Sequence, residues 1–358
     1  MTSPTSSGPV RAQLLRSLLA LAVLVPVGVL FGQLWQEQSD RLSFAAKERD
    51  GIEYLTTLSQ VTTALTDAQS DAIAGSEIDQ TALARAVDAA SAVDARLGDD
   101  LRTHDRWSGL RAKIEALPTA ASADREDLYT AYGEATDLLL ALYGKVRENS
   151  QLIRDPEGDT YFLQDGAAEE LPESVVAAGR FADLVVLAGS RPAAERAQAI
   201  AELTGARQGV LDPASDLADG LQSAVDSTDS RTMGGNLLSR LDRFRRGMDV
   251  LANSAGSLTG RATLPRADQL TAARAEVQAA ATELSNAILA ELDLLIEDRI
   301  SGLSTERWLA VGTLAVVVLL AASPMALTLV DGRRRRRRPF GGVPDSVPSE
   351  WEPAGAAR

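Results

Sequence analysis

The chain has 358 residues, 45% hydrophobic and 24% charged, with a net charge of −14, no cysteine and a single histidine, His104. Such a chain can build a core, but it has no disulfide staple, no thiol nucleophile and no Cys/His metal cage. Aromatic residues are only 4% of the total, and the abundance of Ala and Leu favours helices over strands.

Residues 1–16 carry Arg11 and Arg16 and are expected to be a cytoplasmic N-terminus. Residues 17–36 contain no charge, enough to cross about 30 Å of hydrocarbon at about 1.5 Å per residue. No small-residue cleavage site follows, so this segment reads as an uncleaved first transmembrane helix rather than a signal peptide. Residues 308–330 form a second uncharged stretch. Trp35 and Trp308 stand at the outer ends, where indole rings favour the membrane interface.

Orientation follows from arginine asymmetry. Arg333, Arg334, Arg335, Arg336, Arg337 and Arg338 directly follow the second span, so both termini are expected in the cytoplasm and 36–306 outside it. These arginines are also the candidate contacts for membrane lipid. Residues 1–35 carry +2 and 307–358 carry +4, which leaves −20 on 36–306. So acidic an exterior argues against nucleic acid as a partner.

The exterior segment reads as long packed helices. Leu58, Val61, Leu65, Ala68 and Ala72 recur at 3-4 spacing. Leu128, Ala131, Ala135, Leu138, Leu142 and Val146 repeat it, as do Leu270, Ala273, Val277, Ala280, Leu284 and Ala287. The phase then shifts to Ile288, Leu292 and Leu295. Gly75, Gly98, Pro118, Pro156, Pro172, Pro192, Pro213, Gly234 and Pro265 punctuate the pattern. The expected fold is all-α: two transmembrane helices flanking an extracytoplasmic long-helix bundle of two stacked modules, 36–155 and 156–306. Both spans are expected to run into exterior helices without a breaker. Residues 331–358, basic and then rich in Pro and Gly, are expected to be a disordered cytoplasmic tail.

No grouping of carboxylates and hydroxyls suggests a catalytic pair or triad, so neither an enzyme, a cofactor nor a metal is expected. His104, between Thr103 and Asp105, reads as a solvated residue. The most distinctive string runs from Leu152 through Asp155, Pro156, Glu157, Asp159, Thr160 and Tyr161 to Asp165. Asp155 is placed to cap a helix that Pro156 opens, with Asp159 at the positive end of its dipole. A calcium loop is excluded, because Thr160 stands at the turn-glycine position and Gly166 at that of the bidentate glutamate.

This string resembles one found in the extracytoplasmic sensor regions of bacterial methyl-accepting chemotaxis receptors and of related sensor kinases and diguanylate cyclases. Asp155, Pro156, Asp159, Thr160, Tyr161, Leu163 and Asp165 match that pattern; Arg154, Glu157, Phe162 and Gln164 depart from it. Glu48, Arg49 and Gly51, followed by Tyr54, look like a segment near the start of such sensors. The resemblance implies a helical signal-input domain that works as a homodimer. Its ligand or switch candidates here are Glu48, Arg49, Gly51, Tyr54, Asp155, Pro156, Asp159 and Tyr161. Each also has a plain structural reading: an inter-helix ion pair for Glu48 and Arg49, close helix packing for Gly51. The receptors continue into an output domain, whereas this sequence runs only 28 residues beyond Val330. The expectation is therefore a sensor-like protein acting through a separate membrane or cytoplasmic signalling protein. The alternative is an envelope scaffold with no small-molecule ligand.

Overall fold

A computed structural model of the chain describes residues 8–118, 123–155, 157–254 and 267–336. Among them every regular element is helical: α1 (Gly8–Ala74), α2 (Gln80–Leu97), α3 (His104–Glu115), α4 (Arg125–Asn149), α5 (Gly158–Asp165), α6 (Leu171–Ser190), α7 (Arg196–Ser227), α8 (Met233–Ser254) and α9 (Ala267–Arg336). A π-helical turn, Gly166–Glu170, joins α5 to α6. The described residues through Gln38 and from Ser304 onward form one compact unit, and Ser39–Leu303 form the other.

In the first unit, α1 and α9 each carry a stretch long and apolar enough to cross a membrane, of mean hydropathy 2.2 and 1.6. Leu18, Leu19, Leu21 and Leu30 on α1, and Trp308, Leu309, Leu319 and Leu320 on α9, are all more than half exposed. Apolar rows so open suit lipid rather than water. The Arg307 guanidinium lies 3.5 Å from the centroid of the Trp35 ring, a cation–π contact. Helix α9 continues through Arg336, so the first six residues of the expected disordered tail are helical; arginine is a good helix former and suits a helix C-terminus. Arg337 and Arg338 lie outside the described residues.

In the second unit the helix ends are built by recognisable chemistry. Gly75 adopts φ +76° and lets the Ser76 N–H reach back to the Asp71 carbonyl at 2.8 Å, closing α1. Asp79 caps α2 by accepting the Ala82 N–H, and Asp124 caps α4 by accepting the Asp127 N–H. Pro172 follows directly on the π-helical turn, in the first turn of α6. Pro213 does not divide helices as expected. It lies inside α7, whose packed flanks hold the helix through it. Pro265 lies outside the described residues.

The core follows the heptad seams, with one correction. Leu58, Val61, Leu65, Ala68 and Ala72 are all buried, as are Leu270, Val277, Ala280, Leu284, Ile288 and Leu292. On α4, however, Leu138 is 45% exposed and Leu139 fully buried. The seam there is Leu128, Tyr132, Ala135, Leu139, Leu142 and Val146, with Ala131 and Leu138 on its flank. A wide apolar stripe admits two phases, and the Tyr132 side chain fills the bundle where Ala131 cannot.

The part of α1 that follows Gln38 is the spine of this unit, and polar contacts tie it to its neighbours. Tyr54 donates to Asp94 on α2 at 2.8 Å, and the Thr62 and Tyr143 hydroxyls meet at 3.0 Å across to α4. Gln69 and Ser70 donate to Asp183 on α6 at 2.8 and 2.7 Å. Burial pushes the Asp183 carboxyl up to about 6 despite these donors. Arg274 on α9 donates to the Thr66 carbonyl and to Asp67.

Candidate functional site

The segment before α5 brings the sequence motif onto α1 and α9. Helix α4 stops at Asn149, and Gln151 takes a left-handed φ of 70°. This turns the chain so that Leu152 buries and Asp155 faces inward. Gly51 makes room for the turn: a Cβ there would fall 2.4 Å from Ser150 Oγ and 2.9 Å from Leu152 Cδ1. Gly51→Ala should therefore cost about 1–3 kcal/mol, as overpacked cores do. Adding Ser150→Gly should recover most of that loss in a thermal melt. If the single variant melted like the parent, close packing would not be what this glycine serves.

At the centre lies Arg299 of α9, a residue the sequence reading did not single out. Its Nη1 donates to Glu48 at 3.1 Å. Its Nη2 reaches Asp155 Oδ2 at 3.0 Å, Glu157 at 2.8 Å and Thr160 Oγ1 at 3.1 Å. Gln164 completes the cluster, donating to Glu48 at 2.8 Å and to Asp155 at 3.1 Å. The side chains of Glu48 and Asp155 are fully buried, whereas Glu157 is 58% exposed at the rim. Burial first, and then the Asp155 charge, push the Glu48 carboxyl up to about 8. Arg299 Nε and Gln164 Oε1 are buried with no hydrogen-bond partner among the described residues.

Asp155 does not cap a helix as expected. Helix α5 starts at Gly158 with Glu157 at its N-cap position and no side-chain cap bond. The Asp155 carboxylate instead takes the Glu157 N–H at 2.9 Å and turns to Arg299, whose guanidinium offers it a full opposite charge. Pro156 lies outside the described residues.

The other candidates separate. Arg49, next to Glu48 in sequence, points away and pairs with Asp293 on α9 at 3.0 Å, both half exposed. Tyr54 is fully buried against Asp94. Asp159 accepts from the Thr160 N–H at 2.7 Å. Tyr161 is exposed and packs edge-on against Phe162 at 5.4 Å between centroids. Among the described candidates, only Glu48 and Asp155 meet, through Arg299 and Gln164. His104 is exposed but not without a partner, since its Nδ1 lies 2.8 Å from Asp94 Oδ2.

A cleft of about 510 Å³ opens between α1, α2, α6 and α9. Polar groups converge on it from three helices: Ser59, Thr63 and Asp67, then Arg85, then Thr282, Ser285 and Asn286. Ala64, Ala281, Leu171, Val175 and Tyr143 add apolar surface. Arg85 has no carboxylate partner among the described residues; its Nε reaches only the Thr81 carbonyl, at 3.3 Å. This cleft was not legible beforehand, because its lining is drawn from positions 59 to 286 and has no local signature. Compared with family models, with curated proteins and with solved structures, the chain matches none.

Proposed function

We propose that this chain is a membrane-anchored signal-input protein. In this reading it crosses the membrane twice, with both termini in the cytoplasm and 36–306 outside. The exterior part is two stacked helical modules working as a homodimer, which report through a separate signalling partner by binding and conformational change rather than by catalysis. The observation that carries the reading is the cleft: a receptor needs a cavity where polar groups converge between helices, and a scaffold needs a filled core with an exposed apolar or charged patch. The large apolar side chains exposed in the 39–303 unit support the same choice. Leu138, Ile153, Tyr161, Val250 and Leu294 lie one each on α4, the following linker, α5, α8 and α9, not in a row along one helix. The resemblance of the Asp155 motif to chemoreceptor sensor regions agrees with it.

Two experiments test this. Reporter fusions near Thr228 should read as exported and fusions at the C-terminus as cytoplasmic; the opposite pattern overturns the topology. Thr282→Trp places an indole at the cleft from an exposed position. It should change the membrane crosslinking pattern of the full chain with its partner, as should Gly-Gly inserted after Leu303. If both variants express normally and crosslink as the parent does, the scaffold reading replaces the receptor.

A further inference from the structure

Three helical segments and one linker converge on Arg299, and their charges do not balance. Two fully buried carboxylates, Glu48 of α1 and Asp155 of the linker, face a single guanidinium from α9. Glu157 draws on the same guanidinium from the rim. Of the neighbouring cations, Lys47 and Arg154 are exposed, and two others are engaged elsewhere. Arg49 of α1 turns to Asp293, and Arg147 of α4 holds Asp165 at 3.1 Å and also Glu169. Helix α5 supplies only neutral groups to the cluster, Thr160 and Gln164, while its Asp159 is held by Thr160. A buried site with one excess negative charge is costly, and the cheapest remedy is a proton.

We propose that Glu48 and Asp155 form a proton-operated latch: the pair holds one proton while linker residues 150–155 are seated on α1 and α9, and losing that proton unseats them. The geometry suits such a device. Ser150, Leu152 and Asp155 are the buried contacts of a short linker, whereas Ile153 and Arg154 are exposed. The linker is therefore held at few points, and two of its anchors, Asp155 and Glu157, are carboxylates on Arg299. The direction follows from linkage. The seated form holds the Glu48 proton up to about 8, against 4.5 for an ordinary glutamate. Support for seating is therefore complete below the ordinary value and is lost steadily as pH rises towards about 8. An acidic medium seats the linker and an alkaline one frees it. The latch goes beyond the proposed function and does not depend on it, because seating can be read whether or not the cleft takes a ligand.

The absence of native cysteine allows a direct test in the full-length protein. Leu152→Cys places a thiol at a position 1% exposed, and Ile153→Cys provides a neighbour 43% exposed as the reference for thiol reactivity. The Leu152→Cys labelling rate, divided by the Ile153→Cys rate, should rise at least about tenfold between about pH 6 and about pH 9. Glu48→Gln, which mimics the protonated side chain, should hold that ratio flat to within about twofold over the same range. Asp155→Asn removes the other excess charge and carries the same expectation if Glu48→Gln fails to fold. Glu170, raised to about 7, and Asp183 titrate near this range but are untouched by either change. A wild-type ratio that does not rise overturns the latch. So does a rise that survives in both variants, since other groups would then cause it.

Discussion

Arg299→Met should destabilise the Ser39–Leu303 unit by about 3–5 kcal/mol, the range seen when one partner of a buried ion pair is removed. The arginine is only 16% exposed and serves two carboxylates that are fully buried. Methionine keeps much of the volume but leaves both acids without a cation. The carboxylates would respond by taking up protons, so the loss should be smaller at about pH 5 than at about pH 8. Denaturant unfolding of the full chain in detergent, followed by helical circular dichroism at both pH values, checks this. Equal losses at the two values would mean that the arginine contributes packing rather than charge.

Asp94→Ala should be the next most damaging change among the polar contacts. Asp94 is 2% exposed and accepts from Tyr54 at 2.8 Å and from Thr103 at 3.0 Å, with His104 beside its other oxygen. Alanine strands the Tyr54 and Thr103 hydroxyls in the interior, at about 1–3 kcal/mol for each buried group left unpaired. Burial and the bond to Asp94 already hold the Tyr54 hydroxyl well above the usual phenol range. Tyr54→Phe in the same background should recover part of the loss, because it removes one of the stranded donors. If the double variant were no more stable than Asp94→Ala alone, the Tyr54 hydroxyl would have to be satisfied in some other way.

The helical class was readable because apolar periodicity and Ala/Leu composition act locally. The seam of α1 was assigned correctly from spacing alone. That of α9 was assigned correctly in most positions, although Ala273, Ala287 and Leu295 are only partly buried and Ile296 is fully buried. The α4 seam was misplaced by one residue where the apolar stripe is wide. The charged cluster left a trace as well. Glu48 falls in phase with Ala45, Ile52 and Leu55, and Arg299 lies four residues beyond Leu295 on the same seam as Ile288 and Leu292. A charge in phase with a buried seam needs a buried partner, and that rule would have marked both residues. It would not have paired them, since they are 251 positions apart.

What the sequence determined by itself were the properties that depend on near neighbours: helix over strand, and two stretches apolar enough to cross a membrane. What only the tertiary structure decided was where the polar groups go. The Asp155 carboxylate had a local use as a helix cap and a distant use as a partner of Arg299. Packing of α5 against α1 and α9 excludes water from the carboxylate, and there an ion pair outweighs a capping bond that solvent would otherwise supply.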